Sequence, residues 1–133
     1  MILHRYLAPI ALLLLAGCSS THEQSKQLEL LASSRAQLLS SQLPIESGPL
    51  SIMRASAQQN VIELMMIYNS DTENAPSFNS LVNNSVSKYC SDKQTRANLD
   101  AGLAYRIKIR NPRGQLMVDK LVSKSTCSAP ATN

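Results

Sequence analysis

The chain has 133 residues, a formal net charge of +4, three cysteines and no tryptophan. That length holds one domain with one core. Without Arg5, twelve basic side chains face nine acidic ones, too even a balance for a nucleic-acid-binding surface.

The N-terminus organises the rest. His4 and Arg5 form a weakly positive start, and Leu7 to Ala16 is apolar except for Pro9. A helix spanning a bilayer needs roughly 20 apolar residues. This run has instead the dimensions of a cleaved signal peptide, residues 1–17. It ends in Leu15-Ala16-Gly17-Cys18, a bacterial lipobox: small residues at the cleavage site, then a cysteine that becomes the first mature residue. The Cys18 thioether would carry a diacylglycerol and its freed amine a third acyl chain. Burial in lipid gains about 0.8 kcal/mol per CH₂, and more than one chain gives stable anchoring. Ser19 follows, where Asp would favour inner-membrane retention, so the expected destination is the outer membrane, with the body on its periplasmic face. The competing reading is an ordinary secretory signal with a chance cysteine.

With Cys18 lipidated, Cys90 and Cys127 remain, and an isolated pair in an oxidising compartment is expected to bond. The bridge would close a loop of roughly 37 residues and contribute on the order of 2–4 kcal/mol. Free buried thiols and a redox pair are the alternatives, but there is no Cys-x-x-Cys.

Residues 18–25 are polar and without periodicity, and read as a lipidated tether ahead of a domain over 26–128. A helix is expected from Gln24 to Gln42, with Leu28, Leu31, Ala32, Leu39 and Leu43 at helical spacing, and Leu30 and Leu38 widening the stripe. Pro44 ends it. After the Gly48-Pro49 turn, Leu50 to Ser56 and Val61 to Tyr68 read as a hairpin around Gln58-Gln59-Asn60. Pro76 to Cys90 reads as a second helix, with Phe78, Leu81, Val82, Val86 and Tyr89 on one face. A shorter helix, Asp92 to Ala101, is stopped by Gly102. Leu103 to Arg110 alternates cleanly: Tyr105, Ile107 and Ile109 against Arg106, Lys108 and Arg110. Asn111-Pro112-Arg113-Gly114 turns the chain into a last strand, Gln115 to Ser123. Residues 129–133 read as a flexible tail. The expected fold is α+β in one domain: a four-stranded antiparallel sheet made of two hairpins, packed with an N-terminal and a central helix and stapled by one disulfide.

Chemistry is sparse. After the signal peptide the one histidine is His22, in the tether, so no catalytic triad assembles around it. No metal-ligand cluster or phosphate-binding glycine loop is visible, and no cofactor is expected. Glu63, alone in an apolar strand, suits a salt bridge better than acid catalysis. Binding is the better class. Val61 to Tyr68 is apolar on both faces, which a sheet with one wet face would not require. Either helices cover both faces or one face awaits a partner. Methionines gather there, and methionine adapts to bound surfaces. The candidate partner-binding residues are Met53, Val61, Met65, Ile67 and Met117, with Arg106, Lys108 and Arg110 as a basic row that is either a docking strip or a solvated face.

The lipobox, then Gln42-Leu43-Pro44-Ile45 closing the first helix, the helix ending in Cys90, the run Gly102-Leu103-Ala104-Tyr105-Arg106-Ile107-Lys108-Ile109, and Thr126-Cys127 together resemble the type II secretion pilotins of the AspS kind, also called GspS-beta. The all-helical pilotins of that system do not fit a chain with clear strands. The resemblance implies a non-enzymatic outer-membrane lipoprotein, monomeric when free. It would bind the C-terminal S-domain of the secretin subunit, whose segment orders on binding, and deliver it through the lipoprotein-sorting machinery. The alternatives are another adaptor of envelope or secretion-system assembly, such as a type III secretion pilotin, or a lipid-anchored periplasmic hydrolase or inhibitor.

Overall fold

A computed structural model of the chain describes residues 19–129. The expected signal peptide, the expected lipid site Cys18 and residues 130–133 of the expected tail lie outside the described residues. The elements are α1 (Ser19–Ser40), β1 (Ile45–Ser47), β2 (Leu50–Gln58), β3 (Val61–Tyr68), α2 (Phe78–Ser91), α3 (Lys93–Ala101), β4 (Ala104–Arg110), β5 (Leu116–Val122) and α4 (Lys124–Ser128).

The five strands form one mixed sheet in the order β1-β2-β3-β4-β5. This corrects the expected four-stranded antiparallel sheet in two ways. First, β1 adds an edge strand, paired antiparallel with β2 through Ile45↔Ile52 and Ser47↔Leu50. Three residues are too few to display a period of two, so periodicity could not reveal it. Second, β3 and β4 lie side by side and parallel, with Ile62 opposite Tyr105 and Leu64 opposite Ile107. Parallel neighbours need a crossover of a dozen or more residues. Residues 69–103, containing α2 and α3, supply it. Both expected hairpin pairs are present and antiparallel, β2 with β3 and β4 with β5. The crossover fixes how they join. The tip of the first hairpin is tied to the start of β4: Ala104 N–H donates to Asn60 O at 3.0 Å, and Asn60 Nδ2 donates to Gly102 O at 3.0 Å.

Two helical details also differ from expectation. α1 begins at Ser19, so the segment read as an irregular tether is helical. Its side chains from Ser20 to Gln27 are exposed, and about nine residues at 1.5 Å each project it roughly 13 Å. α4 was not foreseen; one turn of five residues is too short to show a helical stripe.

Alternation along β3 sorts the core. Ile62, Leu64, Met66 and Tyr68 are buried, and Val61, Glu63, Met65 and Ile67 are half-buried. The buried set meets Tyr105, Ile107 and Ile109 of β4, Val122 of β5, Leu99 of α3 and, from α1, Ala32 and Ala36. The two alanines, 0% and 4% exposed, let α1 settle closely on the sheet. Phe78, Leu81, Val86 and Tyr89 of α2 and Cys127 of α4 pack against the same cluster. The helices therefore cover one face, and the other face of β3 stays open. Cys90, in the last turn of α2, is bonded to Cys127 of α4 with a Cα–Cα distance of 5.5 Å.

Candidate binding groove

The doubly apolar strand offers two surfaces. On the open face Met65 lies opposite Lys108 and Ile67 opposite Arg110, while Glu63 faces Arg106 and Val61 faces Ala104. Met53 and Met117 fall at the two register irregularities, in β2 and β5, and are 43% and 45% exposed. Of the expected partner-binding residues, Val61, Met65, Ile67, Arg106, Lys108 and Arg110 share this face, and Met53 and Met117 are the unpaired residues of the two irregularities.

The basic row there is internally partnered. Arg106 grips Asp119 with two parallel bonds, Nε to Oδ1 at 2.8 Å and Nη2 to Oδ2 at 2.7 Å. This holds the Asp119 carboxyl below the usual range and raises the guanidinium. Lys108 Nζ lies 3.3 Å from Glu63 Oε1, which gives the lone strand carboxylate a salt bridge. Arg110 Nη1 donates to Gly114 O at 2.9 Å.

The second surface lies on the helix side. α1 and α2 stand apart and leave a groove of about 520 Å³ between them. Its floor is the buried face of the sheet: Ile45 of β1, Leu50 and Ile52 of β2, Leu64 and Met66 of β3. Arg35, Leu38 and Leu39 of α1 form one wall; Ser85, Lys88 and Tyr89 of α2 form the other. Leu38 lies off the buried stripe and is 54% exposed, so the leucine expected to widen the core stripe borders the groove instead. Leu30 is likewise exposed.

The Tyr89 and Tyr105 rings meet edge to face at 5.2 Å, and Asn98 Nδ2 donates to Tyr105 Oη at 2.8 Å inside the core. Burial raises the pKa of both phenols, so both stay neutral in the physiological range. Asp92 caps α3: its carboxylate accepts from Thr95 N–H at 2.9 Å and Thr95 Oγ1 at 2.8 Å. These bonds and then Lys88 hold the Asp92 carboxyl below its ordinary value.

Among the described residues no three His, Cys, Asp or Glu side chains are grouped to hold a metal ion, and no described helix is long and apolar enough to cross a membrane. The groove escaped sequence reasoning because its lining comes from five or more separate elements. The local signal was Leu38, a leucine out of phase with Ala32, Ala36 and Leu39.

The chain is a small α+β domain with an apolar groove between two helices, the second pinned by a disulfide. The chain belongs to the type II secretion system pilotin, S protein family, whose model matches residues 24–127. It is similar to the pilotin EpsS from the type 2 secretion system of Vibrio vulnificus, with 53% identity and a TM-score of 0.78 over 83% of this chain and 99% of that one. It is similar also to the type II secretion pilotin AspS of Vibrio cholerae, with 50% identity and a TM-score of 0.78 over 82% of this chain and 100% of that one. Pilotin AspS 2 of Escherichia coli O78:H11 is 25% identical over 114 residues, covering 86% of this chain and 82% of that protein.

Proposed function

We propose that this pilotin is an outer-membrane lipoprotein, anchored through Cys18, that binds the C-terminal S-domain of its secretin subunit in the groove between α1 and α2. It carries the subunit through the lipoprotein-sorting route to the outer membrane, and it acts by binding alone, without catalysis or cofactor. The exposed helical start of α1 would stand the body off the membrane.

The observation that carries this reading is an apolar sheet floor left without a helix between two that are in place. Among the described residues, the basic row of the open face has partners of its own. The groove has a half-exposed Leu38 and mostly buried Leu39 and Tyr89 in its walls and a hydrophobic floor, the composition of helix-in-groove sites.

A titration of the secretin S-domain peptide into the processed chain tests the site. Leu38→Asp puts a charge at the groove wall from a position already 54% exposed, so the body should still fold. It should weaken binding at least tenfold, about 1.4 kcal/mol. Met65→Asp, on the opposite face of the sheet, should leave the affinity unchanged. The reverse pattern would move the site to the open face and restore Met53, Val61, Met65, Ile67, Met117, Arg106, Lys108 and Arg110 as its lining.

A further inference from the structure

We infer that β5 is a strand-addition edge: an extended segment of the secretin S-domain, outside the stretch that fills the groove, pairs with the outward backbone groups of Asp119 and Leu121 and sets a carboxylate across from Lys120. The inference rests on the S-domain being the partner and adds a second contact, away from the groove.

β5 is the last strand of the sheet and is paired on one side only, with β4. Which of its backbone groups face outward follows from the register. Ala104 N–H donates to Asn60 O, on the β3 side. The N–H and C=O of one residue leave a strand on the same side, and successive residues alternate. Tyr105, Ile107 and Ile109 therefore turn theirs toward β5, where their partners are Val122, Lys120 and Val118. Asp119 and Leu121, lying between those partners, present N–H and C=O outward. Among the described residues no turn, loop or cap bonds to these groups. The opposite edge of the sheet offers far less, since β1 has three residues.

Edge strands are usually blunted by short length, proline, charge or bulges. β5 has seven residues and no proline. A bulge interrupts its start, against Ile109 and Arg110, but residues 118–122 pair without a break beyond it. Leu116, Met117 and Leu121 are 46%, 45% and 53% exposed, so this edge is apolar as well as unpaired. Such an edge takes an added strand through main-chain hydrogen bonds.

The charges select the occupant. A second copy paired antiparallel in full register would set Asp119 against Asp119, and a shift that overlaps residues 118–122 would set Lys120 against Lys120. Like charges directly opposite destabilise a strand pair. A different chain avoids both. Arg106 already holds the Asp119 carboxylate, so the exposed Lys120 is the charge left for the added strand, and a carboxylate opposite complements it. The S-domain is the chain that the groove holds close, and tethering brings the effective concentration of its remaining residues to about millimolar.

Hydrogen exchange and isothermal titration of the processed chain decide it, with two probes: the shortest S-domain peptide that fills the groove, and the whole S-domain. The whole domain should bind at least about tenfold more tightly than the peptide. It should also slow exchange of the Asp119 and Leu121 amides, which the peptide leaves fast. Leu121→Pro removes an N–H that bonds to nothing within the chain, at an edge where proline is tolerated. It should reduce the whole domain to the peptide's affinity and leave the peptide's affinity unchanged. Leu121→Thr keeps the donor and should retain most of the difference, while Lys120→Glu should weaken the whole domain roughly fivefold. Exchange on the unsubstituted chain keeps the test decisive if Leu121→Pro fails to fold. Amides as fast in the whole-domain complex as in the free chain, or whole-domain binding unchanged by Leu121→Pro or by Lys120→Glu, overturns the inference and leaves the groove assignment standing. Protection of the same amides in the free chain, with a dimer in sedimentation, overturns it in favour of a second copy. Leu38→Asp binding the peptide unchanged moves the groove alone, and a wild-type chain that binds no part of the S-domain ends both readings.

Discussion

Removing the Cys90–Cys127 bridge by changing both residues to alanine should cost stability and loosen the groove together. The bond closes a loop with a sequence separation of 37, and the chain-entropy relation for a loop that long gives about 4 kcal/mol. At about 4 °C per kcal/mol for a domain of this size, melting should drop by about 15 °C. The loss should be felt at the binding site, because Lys88 and Tyr89, next to Cys90 in the last turn of α2, line the groove. With Cys127 released, α2 keeps its packing through Phe78, Leu81 and Val86 but loses its covalent hold at the groove end. Thermal unfolding followed by circular dichroism, with and without reductant, measures the first effect, and peptide titration well below the melting point measures the second. A melting change under about 3 °C, in both the double variant and the reduced wild type, would refute the reasoning that the bridge constrains the unfolded chain.

Asn98→Ala strips the Tyr105 hydroxyl of its buried donor and should cost about 1–3 kcal/mol in urea unfolding; no loss would mean the hydroxyl finds another partner. Ile109→Ala empties a fully buried site in β4 and should cost about 2–5 kcal/mol by the same assay. Stability should also fall in acid. The folded Asp92 and Asp119 carboxyls have depressed pKa values, so the stability they confer is present above the unfolded carboxylate range and is lost as pH falls through their folded values. Asp92→Asn keeps a capping oxygen for Thr95 but no longer titrates, so its melting temperature should fall less steeply than wild type between about pH 5 and pH 2; identical slopes would show that the cap does not contribute to the acid limb.

Much of the core was legible because a strand writes its two faces into alternate residues. Tyr105, Ile107 and Ile109 were separable from Arg106, Lys108 and Arg110 by inspection, and the helical stripe of Leu28, Leu31, Ala32 and Leu39 did the same for α1. Pairing order is not local information. Nothing in Val61–Tyr68 or Ala104–Arg110 states that they are parallel neighbours; that arrangement follows from the crossover through α2 and α3. β1 and α4 are shorter than the periods that would reveal them. The groove was the least legible feature. Leu64 and Met66 are core, yet the space above them is set by how far α1 and α2 stand apart. Met65, read as a groove residue, lies on the opposite face because position parity separates it from both.

Secretin localisation tests the central claim most directly. Envelope fractions from cells with the wild-type chain, without it, and with Cys18→Ser should be compared for assembled secretin. The account predicts outer-membrane secretin only with the wild-type chain, and secretin retained in the inner membrane in the other two. Secretin assembled in the outer membrane at wild-type level in cells lacking the chain would contradict it.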